Sequence, residues 1–161
     1  VGATSRATIG VKGINMKETE GQKIYQDLSN RIEDIQNKTN IISENSTRLI
    51  KEYIVKLETR IKELLKTDVI DQTRLAQEVV IYSDKCSVEE EITRLKSHIK
   101  SLDGMLETDG PIGKKLDFLL QEMNRETNTI GSKANCLDIT NSVVEMKNEI
   151  ENIREQIQNI E

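Results

Sequence analysis

A chain of 161 residues, 32% charged and 35% hydrophobic, is long enough for one ordinary domain, yet aromatics make up only 2% of it and Trp is absent. So few rings exclude a broad globular core and leave narrow seams of Ile, Leu and Val between packed helices as the interior. A net charge of -5 excludes a wholesale cationic surface, so nucleic acid could be held only by a local basic strip or through bridging metal ions.

The chain opens on Val1 without an initiator Met and is expected to be a piece of something longer. Residues 1–15 have no sustained period and weak helix propensity, and read as a flexible remnant of an N-terminal domain. From Met16 the spacing predicts a helix, with Ile24, Leu28, Ile32, Ile35 and Ile42 on one side and Thr39 filling the remaining seam position. The run Ser43 to Thr47 offers side chains that cap or turn, and interrupts the pattern. Ile50, Ile54, Leu57, Ile61 and Leu64 then resume it. Residues 16–67 are thus a long helical hairpin or one continuous rod; sequence does not decide between them.

Residues 68–161 form the expected C-terminal helical domain. Asp71 is placed to cap a helix whose Leu75, Ala76, Val79, Val80 and Tyr82 make a broad apolar face, expected to be buried on two sides. Ser87 with Glu90 makes a capping box, and Val88, Ile92, Leu95, Ile99, Leu102 and Leu106 follow in heptad spacing. Gly110, Pro111 and Gly113 dictate a turn before a helix that runs from Lys114. The last helix carries Ile139, Val143, Met146, Ile150, Ile153, Ile157 and Ile160 in unbroken four-three alternation. It closes a three-helix unit with the two before it. The fold class is therefore all-α: long hairpin or coiled-coil-like helices, then a C-terminal bundle. No apolar run approaches the roughly 20 residues that span a bilayer, nothing resembles a secretory leader, and Cys86 and Cys136 lack metal-ligand spacing; a cytoplasmic protein is expected.

The helix from Lys114 is the one place where side chains are arranged for more than packing. Leu116, Leu119, Leu120, Met123, Thr127 and Ile130 fall within about 100° of each other and must face a core. One polar flank carries Lys114, Asp117, Gln121, Asn124, Arg125 and Asn128, dominated by donors in register. The other carries Lys115, Glu122, Glu126 and Thr129. Glu122 and Glu126, one turn apart, could bind a divalent ion with further carboxylates from Glu78, Glu90, Glu91 or Asp117. Equally, Lys115 could pair with them, and Glu122 could pair with Arg125. His98, the only histidine, stands one heptad after Glu91 with Arg94 between them. It could serve as a general base, a metal ligand or a phosphate contact, or simply pack at the seam border. Lys114, Lys115, Arg125 and Lys133 make a modest basic set for phosphates. Phe118 is the only ring nearby, so the usual aromatic platform for single strands is missing.

The stretch GPIGKKLDFLLQEMNRETNTIGSKAN, preceded by EEEITRLKSHI and followed by IREQIQNIE at the C-terminus, resembles the bacterial YicC family of stress-associated proteins. The likeness runs from about Glu20 to Glu161, loose before Asp71 and close from Leu75 on. It implies a cytoplasmic endoribonuclease that depends on a divalent metal such as Mn²⁺, with Mg²⁺ an alternative, assembles as a hexamer around RNA, and needs no organic cofactor or membrane. It also implies a mixed α/β domain ahead of the helices, absent here or reduced to residues 1–15. From the chemistry of the two polar flanks, read beside that resemblance, Glu122, Glu126 and His98 are the expected catalytic residues. Glu122, Glu126, Glu91 and Asp117 are the expected metal ligands. Lys114, Lys115, Arg125, Arg94, Asn124 and Asn128 are the expected RNA contacts. The competing expectation is a non-catalytic helical oligomerisation or RNA-binding module.

Overall fold

The computed structural model describes residues 18–66, 68–108 and 112–160. The expected flexible lead-in and the turn residues Gly110 and Pro111 lie outside the described residues. Among those described there are five helices and no strand: α1 Glu18–Leu65, α2 Gln72–Cys86, α3 Glu89–Leu106, α4 Gly113–Lys133 and α5 Leu137–Ile160. The all-α expectation holds.

Helix α1 buries Leu28, Ile32, Ile35, Thr39, Ile42 and Leu49 along one side. Thr39 is tolerated in this apolar row because its hydroxyl donates to the Ile35 carbonyl at 2.8 Å. The expected break at Ser43 to Thr47 does not occur, and α1 runs unbroken for 48 residues as a rod. The side chains that could have capped a turn bond back into the helix instead. Asn45 Nδ2 donates to the Ile41 carbonyl, and the hydroxyls of Ser46 and Thr47 donate to that of Ser43. Half-buried Ser46 also stands four residues after Ile42 and three before Leu49, so the seam register passes straight through it. The rod ends at Lys66, which turns to a left-handed φ of 51° and donates its N–H to the Lys62 carbonyl.

The N-terminal part of α1, with α3, α4 and α5, closes into a four-helix ring in which α1 lies between α3 and α5 and α4 completes the circuit. Sequence spacing suggested three helices here, but the apolar edge of α5 is wider than α4 alone can cover, and α1 covers the remainder. Neighbours are antiparallel. Arg31 pairs with Glu149, Lys38 with Glu145 and Arg48 with Asp138, in opposite order along α1 and α5. Between the helices lie Leu95, Leu102, Leu116, Leu120, Met123, Ile130, Ile139, Met146 and Ile153, all 2% exposed or less.

Three local expectations are corrected. The α2 face is not buried on two sides: Leu75 is buried but Val80 is 58% exposed, because α1 is the one helix that packs substantially against it. That contact includes Tyr53 stacked on Tyr82 with ring centroids 3.7 Å apart. Asp71 does cap α2, its Oδ1 accepting from the N–H groups of Thr73 and Arg74. The Ser87 capping box is not used. Val88 is the N-cap of α3 without a side-chain cap bond, since burial of Val88 at 1% exposure fixes the chain one residue later; Glu89, Glu90 and Glu91 in the first turn complement the helix dipole instead. Gly113, read as part of the turn, is the first residue of α4.

Candidate active site

Helix α4 turns its apolar stripe inward as expected, with Leu116, Leu119, Leu120, Met123, Thr127 and Ile130 all buried. Thr127 is satisfied inside the core by donating to the Met123 carbonyl at 2.8 Å, with Met146 Sδ at 3.3 Å. With that stripe fixed, one flank of α4 faces α3 and the other faces α5.

On the α3 side the structure brings together His98, Glu122 and Glu126. One donor atom from each lies within 4.8 Å of the other two. His98 and Glu122 are half-buried and Glu126 is buried, so the group sits at the rim of the helix seam, partly open to water. One imidazole nitrogen and two carboxylates form a donor set that suits a borderline or hard divalent cation such as Mn²⁺, and three protein ligands leave coordination positions for water and substrate. The residues fit such an ion.

Glu126 is not free of protein cations. Arg94, one turn before His98 on α3, donates its Nε to Glu126 Oε1 at 2.9 Å, leaving the second carboxylate oxygen for another partner. The same guanidinium reaches Glu90 Oε2 at 3.4 Å and Glu91 Oε1 at 3.5 Å. Among the described residues Glu122 has only a 4.0 Å approach from Arg125 on its own helix. Of the two carboxylates, one is thus bridged across the helices and one is held loosely at the surface.

Glu91 does not join the trio. Its side chain is 3% exposed, and Oε1 accepts from Lys133 Nζ at 2.7 Å while Oε2, also buried, has no hydrogen-bond partner. Burial alone would raise the pKa of this carboxyl. The Lys133 hydrogen bond, its own backbone N–H and the charges of Lys133 and Arg94 outweigh that and hold it below the ordinary carboxylate range. Asp117 is also placed elsewhere: it meets Arg154 of α5 at 3.0 Å and accepts from Gln121. Asn124 and Asn128 share this α5-side flank, Asn124 half-buried and Asn128 exposed. Lys114, Lys115 and Arg125 are exposed around the outer surface of α4.

Sequence reasoning placed Lys133 among phosphate ligands and left Arg154 unmentioned. Both are ion-pair partners that fix α4 against α3 and α5. The signal was available for Lys133: in an antiparallel α3–α4 hairpin, Glu91 and Lys133 lie far from the turn at nearly matched distances, and so do Arg94 with Glu126 and His98 with Glu122, closer in.

A family model described as "Endoribonuclease YicC-like, C-terminal" matches residues 42–161. A protein named probable endoribonuclease YicC from Clostridioides difficile is 51% identical over 152 residues, which cover 94% of this chain and 52% of that relative. Another of the same name from Haemophilus influenzae is 36% identical over 148 residues, covering 92% of this chain and 51% of the relative. The chain spans about half the length of these curated relatives.

Proposed function

The chain belongs to the YicC-like endoribonuclease family, and on that premise we propose that it is the helical part of a metal-dependent RNA phosphodiester hydrolase whose chemistry runs at His98, Glu122 and Glu126. The observation that carries this reading is the convergence of those three donors within 4.8 Å of one another. Glu122 and Glu126 would hold the divalent cation, Mn²⁺ or Mg²⁺. Once bound, such an ion supplies an activated water and charge stabilisation at the phosphate.

Arg94 orients the Glu126 carboxylate by occupying one of its oxygens, and so sets the direction in which the other points. His98 either completes the donor set or, with Glu122 and Glu126 alone on the cation, passes a proton from its imidazolium to the oxygen that leaves phosphorus. Lys114, Lys115 and Arg125 offer cations to the phosphates on the outer face of α4. The functional unit is a homo-oligomer in the cytoplasm, a hexamer on the family resemblance. Exposed Val55, Leu64, Leu65, Val80 and Ile81 support an association surface on the α1–α2 arm.

Glu122→Gln and Glu126→Gln should each reduce Mn²⁺-supported RNA cleavage by on the order of 10²-fold or more, with helix content and sedimentation retained. Full cleavage by both variants overturns the assignment. A second reading, a non-catalytic assembly or RNA-binding module, is favoured by the Arg94–Glu126 pair, which gives one acid a structural task. Sedimentation with and without Mn²⁺ beside a cleavage assay separates the two: a stable oligomer indifferent to metal and inert toward RNA supports the second.

A further inference from the structure

Phe118 is 64% exposed, and it is the only exposed ring among the described residues. The tyrosines are all partly buried: Tyr53 and Tyr82 stack on each other, and Tyr25 donates to Glu107. Packing does not require a ring at position 118, because the α4 stripe is complete without it and Phe118 lies on nearly the opposite side of the helix from Leu116. Leaving such a side chain in water forgoes stabilisation that any polar residue would not lose.

What surrounds the ring is specific. Glu122 of the trio is one helical turn after it, and Lys114 and Lys115 are one turn before it, at the i+4, i−4 and i−3 positions that adjoin a side chain on a helix surface. Neither lysine has an ion-pair partner among the described residues. An apolar plate thus stands between two unneutralised ammonium groups and the acid–imidazole group. A polyanion with flat apolar side groups is complementary to that arrangement, and a peptide or lipid surface has no use for its acidic end.

We infer that Phe118 is a stacking platform for one unpaired nucleobase of the RNA, with Lys114 and Lys115 taking the neighbouring phosphates, so that the backbone is laid across Glu122. The inference rests on the RNA reading above. It assigns to the enzyme a preference for unpaired RNA at that nucleotide, since a base held in a duplex cannot offer its face to the ring.

The test uses the whole protein and single-stranded RNA carrying 2-aminopurine, read by fluorescence for binding and by product formation with Mn²⁺ for kinetics. Loss of a base stack predicts a roughly 5- to 150-fold weaker binding for Phe118→Ala, falling on KM rather than kcat. Phe118→Trp and Phe118→Tyr should restore binding, and Phe118→Leu should not, which separates stacking from apolar contact. Unaltered binding by Phe118→Ala, equal rescue by Leu, or a changed sedimentation coefficient overturns the inference. If the parent binds this RNA without cleaving it, the hydrolase reading fails alone, because the fluorescence arm still decides the stack.

Discussion

Replacing Lys133 with Met isolates one of the ion pairs that join α3 to α4. The variant keeps the aliphatic stem and removes the ammonium group that lies 2.7 Å from Glu91 Oε1. Breaking a buried pair costs about 3–5 kcal/mol when the remaining charge is sealed from water. Here the Glu91 side chain is 3% exposed but Lys133 is 38% exposed, so part of its charge is already solvated and the loss should fall near 2–3 kcal/mol. For a chain of this size that corresponds to a fall in Tm of roughly 5–10 °C by circular dichroism at pH 7. A double variant, Lys133→Met with Glu91→Met, should recover most of it, because no charge is then left buried. The pH dependence gives a second reading. Glu91 titrates below its ordinary value of about 4.3, so its ionisation stabilises the fold fully above that value, and this contribution is lost as pH falls through the depressed one. In Lys133→Met burial acts with less opposition and the carboxyl titrates higher. The gap between parent and variant should therefore be widest at neutral pH and narrow as pH falls through the depressed Glu91 value, below which both carry a neutral carboxyl. A Tm within about 2 °C of the parent at pH 7, or a gap that widens in acid, would refute the reasoning.

Chelation of divalent ions with EDTA should stop RNA cleavage without lowering helix content, since the core is assembled from apolar residues and ion pairs; unfolding on chelation would make the ion structural. Two glycines should respond differently to Ala. At Gly104 an added Cβ meets nothing within 4 Å, so Gly104→Ala should stabilise by about 0.5–1 kcal/mol in a denaturant titration. At Gly131 it would approach Val143 Cγ1 at 3.2 Å, so the helix gain should be largely cancelled there, and a full gain at Gly131 would show that α5 yields freely.

The helices that enclose the site were legible because their apolar residues repeat strictly: the α4 stripe and the α5 row from Ile139 to Ile157 are buried as the spacing required. The run Ser43 to Thr47 is locally ambiguous, because a hydroxyl such as that of Ser46 can bond within a helix as well as cap one, and burial of the flanking Ile42 and Leu49 carries the register through it. Ser87 is ambiguous in the same way, overruled by burial of Val88. The exposure of α2 could not be read from its composition, since an apolar face looks alike whether or not a partner lies over it. His98, Glu122 and Glu126 were each identifiable by residue type, but not the division of labour around them. That division depends on the antiparallel register of α3 and α4, which a list of acids and bases on single wheels does not contain.

Glu126 occupies the turn between Met123 and Ile130, both 0% exposed, and its carboxylate is braced from the neighbouring helix. The carboxylate proposed to hold the cation and the tightest packing therefore share one segment of backbone. Glu126 lies within a regular helix, so this side chain inherits the positional accuracy of the hydrophobic interior and also its brittleness. Heating should leave its geometry intact until the bundle melts, and then destroy geometry and packing together.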